Sequence, residues 1–183
     1  DYISNVLNYD LGMLLTAVEY ESDESLLSWF RDMHGYISDY LSDTLPKSLI
    51  HSDVFWNNVI VNPEGVDGRQ GVTIMDFEEA CFYYRIFDVG MAIVGLCSFK
   101  GKVDLNKARP FLTGYQKEVS LNVEEQRALK PFVVIAATAI ACWRHKQFDY
   151  SHPELNKKSS YKIMKELADH TRALPINAFT ELL

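Results

Sequence analysis

The sequence predicts an α+β fold that is mostly helical, with a small irregular sheet near its middle. Three observations predict it: helical spacing of apolar residues before residue 45, short β-branched runs between residues 49 and 75, and helical patterns again after residue 86. The chain has 183 residues, which is long enough for one domain with a substantial core. Its hydrophobic residues, 48%, and its charged residues, 23%, are in the ordinary range of globular proteins.

The first region, residues 1 to about 45, is predicted to be helical. Its apolar residues recur every three or four positions, as on the buried face of an amphipathic helix. They are Leu26, Leu27, Phe30, Met33, Ile37, Tyr40 and Leu41. Asp23 and Ser25 are candidate caps at the start of this helix, and Pro46 marks its end.

The middle region is predicted to form strands. Short apolar and β-branched runs occupy residues 49–50, 59–61 and 72–75. Residues 62–71 are rich in turn formers, so we predict a hairpin loop between the last two strands.

The remainder of the chain is predicted to be helical. The predicted helices cover residues 87–99, 104–115, a third segment from residue 122 to 143, and 158–173. Asn122 and Glu125 have the spacing of a capping box at the start of the third helix. Pro131 is expected to kink or split that helix.

The net charge and the composition argue against nucleic-acid and membrane partners. A net charge of -7 argues against a nucleic-acid partner, and the densest basic spot, Lys157 and Lys158, is explained by a solvated helix start. The apolar runs are too short for a bilayer span and no signal peptide is evident, so we expect a cytoplasmic protein without a membrane partner. The three cysteines, Cys81, Cys97 and Cys142, lie far apart among apolar neighbours, which indicates buried free thiols.

Polar residues concentrate around the predicted strands. His51 and Asp53 follow one apolar run, Asn58 precedes the next, and Asp76 comes directly after the run at 72–75. Singly, each is more typical of a cap, a turn or a satisfied core histidine. Together they form an ordered pattern suited to phosphoryl transfer, which needs a carboxylate to orient or deprotonate a hydroxyl and oxygen ligands for magnesium. Asp53 suits the first role, and Asn58 and Asp76 suit the second.

Two segments carry a resemblance to a known family. They read LIHSDVFWNNVIV and GVTIMDFEEACFYYRIFDVGMAI. They resemble the catalytic and metal-binding segments of the aminoglycoside phosphotransferase/choline kinase superfamily, with the type II homoserine kinase-like branch nearest. The resemblance implies the C-terminal lobe of a protein-kinase-like fold, with the catalytic loop beside a small hairpin. It also implies Mg²⁺, a nucleotide, and a small-molecule hydroxyl as acceptor, with ATP expected and GTP left open.

The resemblance also implies roles for single residues. Asp53 would be the catalytic base or hydroxyl-orienting group, with Asn58 and Asp76 as magnesium ligands. His51 would support the catalytic loop, and Asp88 would hold that loop by hydrogen bonds or cap the following helix.

The sequence departs from the family pattern in three places. Ser52 stands where many members have glycine, and the loop at 54–57 is bulkier and more aromatic. A glycine-rich phosphate loop and a strand lysine with a helical glutamate partner are not found. We therefore expect residues 1–183 to form the C-terminal lobe alone, with the N-terminal nucleotide-binding lobe absent and the isolated polypeptide poorly active.

Clues to the acceptor are side chains near the motif. Glu78 and Glu79 could face an amine, although a solvated acidic turn explains them equally simply. Arg144 could bind a carboxylate through both guanidinium nitrogens or form a surface ion pair. Trp56, with the aromatic residues at 82–84, could form a cage for a quaternary ammonium or belong to the core.

The predicted function is an ATP-dependent phosphotransferase acting on a hydroxyl of an amino-acid or amino-alcohol acceptor, with a homoserine-like acceptor favoured. One alternative is a non-catalytic binding module with the same fold. Another is a metal-dependent hydrolase that uses His51, Asp53 and Asp76 as ligands. The oligomeric state stays open, a homodimer included.

Overall fold

The computed structural model describes residues 12–66 and 69–183. Helices dominate this part of the chain, which confirms the predicted mostly helical α+β fold. The helices are α1 (Gly12–Thr16), α2 (Glu24–Ser38), α3 (Arg85–Leu96), α4 (Leu105–Glu118), α5 (Val123–His145) and α6 (Tyr161–Ala173). A π-helical turn, Lys146–Ser151, continues directly from α5. The predicted helical residues 1–11 lie outside the described residues.

Short antiparallel pairs form the sheet portion. The strands are β1 (Lys47–Ile50), β2 (Val59–Val66), β3 (Arg69–Ile74), β4 (Cys81–Tyr84), β5 (Ser98–Phe99) and β6 (Lys102–Val103). β1 pairs with β4, β2 with β3, and β5 with β6. The catalytic segment predicted from the sequence, residues 51–58, therefore connects one two-stranded sheet to another.

The β2–β3 hairpin is longer than predicted. Asn62 still pairs with Gly71, and after a register shift Val66 pairs with Arg69. The predicted loop 62–71 is thus largely strand, because Gly65 has a left-handed φ of 65° that accommodates an irregularity within β2. The tip, residues 67–68, lies outside the described residues.

Helix α2 begins as predicted and ends earlier than predicted. The Asp23 carboxylate accepts hydrogen bonds from the backbone N–H groups of Ser25 and Leu26, which makes Asp23 the cap. The helix ends at Ser38 rather than near Pro46. The chain needs residues 39–46 to turn and enter β1, whose first residue, Lys47, pairs with Tyr84.

Helix α5 forms the centre of the core. Its capping box is present, since Glu125 N–H donates to Asn122 Oδ1 and Asn122 N–H donates to Glu125 Oε2, both at 2.9 Å. Of the two expected effects of Pro131, a kink or a split, the split does not occur: α5 runs unbroken from Val123 to His145. A proline inside a helix costs about 3 kcal/mol, and the burial of nearly every residue from 128 to 142 offsets that cost.

The three cysteines are free and buried, as the sequence predicts. Burial raises the pKa of Cys97 to about 11 and that of Cys142 to about 12. These thiols therefore stay protonated near neutral pH, which leaves them poor nucleophiles.

The helices of the described part of the chain, residues 12–66 and 69–183, include none with the length and apolarity that a membrane span requires.

Helix α3 lies in direct contact with the catalytic segment on one side and with α5 on the other. A β-carbon placed on Gly95 would lie 2.8 Å from Phe55 Cα and even closer to the Val54 carbonyl oxygen. A β-carbon on Gly90 would lie 2.6 Å from the Phe132 carbonyl oxygen. The two glycines thus allow backbone-to-backbone contact at the site.

Replacing Gly95 with alanine is expected to destabilise the protein by about 2 kcal/mol, because the added methyl group meets backbone that cannot move aside cheaply. Gly114 in α4 offers a matched control, since a β-carbon there meets no atom within 4 Å. Gly114→Ala is expected to stabilise the protein by up to about 1 kcal/mol through its higher helix propensity. Denaturant unfolding of both variants tests this, and equal stability of Gly95→Ala and the wild type would contradict the close contact.

Candidate active site

His51 is a structural member of the site with both ring nitrogens in use. Its Nε2 lies 2.8 Å from the Met75 carbonyl oxygen, and its Nδ1 lies 3.2 Å from the backbone nitrogen of Asp53. A carbonyl only accepts and a backbone N–H only donates, so the imidazole is neutral with its proton on Nε2. This arrangement supports the expected role of His51 in bracing the loop.

Asp88 holds the start of the same loop. It lies in the first turn of α3, where one carboxylate oxygen accepts from His51 N–H at 3.0 Å and the other from Ser52 N–H at 2.7 Å. Burial raises the pKa of Asp88, and the two backbone N–H groups oppose that rise because they bind the ionised form. Asp88 therefore connects the backbone at His51 and Ser52 to the first turn of α3.

Ser52 has a left-handed backbone, with φ of 64°, and is fully buried. This conformation explains why glycine suits the position, since residues with a β-carbon rarely adopt it. The Ser52 hydroxyl donates to the Glu79 carbonyl oxygen. Serine lacks the conformational freedom that glycine would have here. Its hydroxyl adds a hydrogen bond that joins the catalytic segment to the loop after β3.

Asp53 and Asn58 form the centre of the site. Asn58 is buried, and its Nδ2 donates to Asp53 Oδ2 and to the Asp53 carbonyl oxygen, both at 2.9 Å. Burial raises the pKa of the Asp53 carboxyl, the nearby charges of Asp76 and Glu78 raise it further, and the Asn58 hydrogen bond lowers it. Asp53 is therefore a carboxylate of fixed orientation that is more basic than an exposed aspartate.

The structure brings Asp76 to the same place. Asn58 ends a short 3₁₀ turn and precedes β2, whose first residue pairs with Ile74 at the end of β3. The Met75 N–H then donates to the Asn58 carbonyl oxygen at 2.9 Å, so Asp76 follows directly beside the asparagine. Asp76 also has a left-handed φ of 64°, and its side chain is exposed.

The donor set around Asn58 suits a hard divalent cation. Because Nδ2 is committed to Asp53, the amide presents Oδ1 as an acceptor, and Asn57 Nδ2 donates to it at 3.2 Å. The Asp76 carboxylate is close enough to Asp53 to raise the pKa of that group. Amide and carboxylate oxygens are preferred magnesium ligands. The residues present therefore fit the magnesium site that the sequence predicts.

A cleft of about 420 Å³ opens beside Asp53, a volume typical of small-molecule sites. Residues of the catalytic segment and of the loop after β3 line one side, and residues from the end of α5 to the start of α6 line the other. They are Asp53, Phe55, Asn57, Glu78 and Glu79 on the first side, and Ile140, Trp143, Arg144, Phe148, Lys157 and Ser160 on the second. We call the second group the helical wall.

The cleft includes most of the residues predicted to face the acceptor. Glu78, Glu79 and Arg144 all line it, whereas Trp56 does not and is 74% exposed. Carboxylates lie on one side of the cleft and cations on the other, which gives it complementarity to a ligand that carries both charges.

Several residues of the helical wall carry no signal in the sequence. Lys157 was interpreted as part of a solvated helix start, yet it lines the cleft with its Nζ 4.9 Å from the centre of the Phe148 ring. The hydroxyl of Ser160 also lines the cleft and is buried without a hydrogen-bond partner within the described residues. These side chains follow Asp53 by about 100 positions, so motif spacing carries no signal for them.

The predicted aromatic cage is not assembled as a unit. Tyr83 and Tyr84 pack edge-on to Phe87 and Phe132 in the core, with ring centres 5.6 and 5.8 Å apart. Phe82, between core-facing positions on β4, is half exposed. The alternative that these aromatic residues belong to the core therefore holds for Tyr83 and Tyr84.

The ligand set of the hydrolase alternative does not form. Both nitrogens of His51 are occupied by backbone groups. In residues 12–66 and 69–183, no group of three His, Cys, Asp or Glu side chains is arranged to hold a metal ion. A zinc-type site, which needs three protein ligands, is thus unsupported in this part of the chain.

Comparison with known families places these features in context. The sequence model of the Phosphotransferase enzyme family matches residues 13–118, which include the whole catalytic segment and Asp88. A homoserine kinase from Paramagnetospirillum magneticum is 32% identical over 117 residues, covering 62% of this chain and 35% of the relative. A homoserine kinase from Rhodopseudomonas palustris is 30% identical over 134 residues, covering 70% of this chain and 39% of the relative. The chain thus spans little more than a third of the length of these curated relatives.

Two solved structures share the fold. A microcompartment-associated aminopropanol kinase superimposes with a TM-score of 0.58 at 18% identity, covering 88% of this chain and 47% of that one. An ethanolamine kinase from Plasmodium vivax superimposes with a TM-score of 0.52 at 16% identity, covering 93% of this chain and 44% of that one. At these identities the likeness establishes the kinase-like fold alone.

Proposed function

Because this chain belongs to the phosphotransferase enzyme family, we propose that it contributes the catalytic lobe of an ATP-dependent kinase for small molecules. The reaction would transfer the terminal phosphoryl group of ATP to a hydroxyl of the acceptor. The observation that carries the proposal is the position of Asp53, which lines the cleft while Asn58 fixes its carboxylate.

Asp53 would orient the attacking hydroxyl and accept its proton. Catalysis of phosphoryl transfer depends mainly on positioning and on stabilisation of charge, and a carboxylate anchored through Oδ2 supplies a fixed hydrogen-bond acceptor. The raised pKa of Asp53 makes its ionised form a stronger base than that of an exposed aspartate.

Asn58 and Asp76 would hold Mg²⁺, which neutralises the charge on the phosphate groups when it is bound. Asn58 would hold the metal with its amide oxygen while its Nδ2 stays on Asp53, so one side chain would link the base to the metal ligands. His51 and Asp88 would keep this arrangement in place through backbone contacts alone.

The acceptor would carry an amine beside its hydroxyl, as an amino acid or amino alcohol does. Glu78 and Glu79 line the cleft on the side of Asp53 and suit an ammonium group, whereas Arg144 on the helical wall suits a carboxylate. A homoserine-like acceptor is favoured, since the relatives with about 30% identity are homoserine kinases.

The proposal is tested by incubating the purified natural gene product that contains residues 1–183 with Mg²⁺ and ATP labelled in the terminal phosphate. The acceptors are homoserine, ethanolamine and 3-aminopropan-1-ol, with 2-aminobutyrate, which equals homoserine without the hydroxyl, as the matched control. We expect label to appear on homoserine and none on 2-aminobutyrate. ATP hydrolysis that no hydroxyl compound accelerates would refute the proposed function.

A further inference from the structure

A buried polar cluster lies behind the helical wall. His145, the last residue of α5, is 2% exposed. Its Nε2 lies 2.7 Å from Glu21 Oε2 and its Nδ1 lies 3.2 Å from Asp149 Oδ2. Both carboxylate side chains are only 9% exposed, so all three polar groups are nearly removed from water. We call these residues the Glu21–His145–Asp149 cluster.

Each carboxylate of the cluster also fixes a separate segment of backbone. Glu21 Oε1 accepts from Ser22 N–H at 2.6 Å and Asp23 N–H at 2.7 Å, directly before α2. Asp149 Oδ1 accepts from Ser159 N–H at 2.8 Å, and Ser159 has a left-handed φ of 63°. The cluster therefore connects the start of α2, the end of α5 and the loop that leads to α6.

The residues that form or contact the cluster lie close in sequence to residues that line the cleft. Arg144 precedes His145 and Phe148 precedes Asp149, while Ser160 follows Ser159 and Lys157 lies two residues before it. A shift of the cluster would thus move four of the six side chains of the helical wall. Displacement of a positioning group by about 1 Å can cost about a hundredfold in rate.

The local backbone supports a role beyond stability. Residues 146–151 form a π-helical turn, closed by His152 N–H on the Gln147 carbonyl oxygen at 2.6 Å. Such turns are rare and occur frequently at functional sites. A buried contact between a histidine and carboxylates is weak evidence for added stability, which makes a role in fixing one conformation the hypothesis to test.

We propose that Glu21, His145 and Asp149 are positioning residues that hold the helical wall and thereby set the affinity for the acceptor, without touching it. This inference rests on the proposed function in taking the cleft as the acceptor site. The cluster supports the helical wall, whereas Asp88 supports the catalytic segment. The two supports are therefore separate.

Two substitutions at one position test the inference. Asp149→Asn keeps an oxygen for Ser159 N–H and removes the charge that faces His145, whereas Asp149→Ala removes both contacts. We expect the acceptor KM to rise about tenfold in Asp149→Ala and less in Asp149→Asn, with kcat and the KM for ATP changed less than about twofold. Hydrogen exchange at residues 157–160 is expected to accelerate in the same order.

Lys130→Met is the matched control for lost stability. Lys130 is buried and donates to the Leu174 carbonyl oxygen, and it lies ten residues before Ile140 on α5, about 15 Å from the cleft along the helix. This variant is expected to be less stable with an unchanged acceptor KM.

Two outcomes would overturn the inference: an unchanged acceptor KM in Asp149→Ala, or equal rises in both KM values as in a generally destabilised protein. Calorimetric binding of homoserine to the wild type and to Asp149→Ala gives the same comparison without turnover. An inactive wild type therefore counts against the proposed function, whereas unchanged homoserine affinity and unchanged exchange at 157–160 count against the positioning role.

Discussion

Replacing Asp53 with asparagine is expected to lower kcat about a thousandfold and to leave the fold intact. Asparagine keeps the size of the side chain and an oxygen that Asn58 can bind, but it cannot accept the proton of the attacking hydroxyl. General-base catalysis contributes about a hundredfold to ten-thousandfold. The measurement is steady-state turnover with Mg²⁺, ATP and the acceptor, together with thermal unfolding to verify the fold.

The pH dependence gives this substitution a second readout. The site raises the pKa of Asp53, so the ionised base is lost at a higher pH than for an ordinary aspartate with a pKa of about 3.9. As the pH is lowered, the rate of the wild type should therefore begin to fall at a higher pH than an ordinary aspartate would cause. The residual rate of Asp53→Asn should lack this limb.

Asp43→Asn is the matched control, because Asp43 undergoes the same chemical change with a side chain that is 99% exposed. It should keep the rate of the wild type. The assigned role of Asp53 would be wrong if Asp53→Asn retained a rate within a few fold of that control.

Replacing Asp88 with alanine is expected to reduce both stability and turnover. The change leaves the backbone N–H groups of His51 and Ser52 without their acceptor in a buried environment. Each unsatisfied buried donor costs about 1–3 kcal/mol, so the free energy of unfolding should fall by about 2–6 kcal/mol. Because these two residues precede Asp53, kcat should also fall, which chemical denaturation and steady-state kinetics measure separately.

A second aspartate, Asp104, is a control that distinguishes the contact of Asp88 with the catalytic segment from an ordinary helix cap. Asp104 caps α4 through Asn106 N–H at 3.0 Å and does not line the cleft. Asp104→Ala should cost about 1 kcal/mol without a change in kcat. Equal kinetic behaviour of the two variants would show that Asp88 acts as an ordinary cap.

Local chemistry explains what the sequence could predict. The Asp23 cap, the Asn122–Glu125 capping box and the burial of the cysteines each depend on neighbouring residues, and all are present. The proximity of Asn58 and Asp76 was also predictable. One hairpin joins the strand that follows Asn58 to the strand that precedes Asp76.

Contacts between distant segments explain what the sequence could not predict. Strand β4 (Cys81–Tyr84) forms because it pairs with β1, more than 30 positions earlier, and its aromatic run alone does not specify a strand. Pro131 remains inside α5 because the packing of that helix overrides the local penalty. The helical wall depends on the Glu21–His145–Asp149 cluster, whose members come from two regions more than 120 positions apart.

The contacts at Gly95 and Gly90 have a consequence for motion. Backbone that touches backbone has no flexible side chain between the two parts to absorb a displacement. The catalytic segment, α3 and α5 should therefore fluctuate together as one body. Opening and closing of the cleft must then come from segments outside that body.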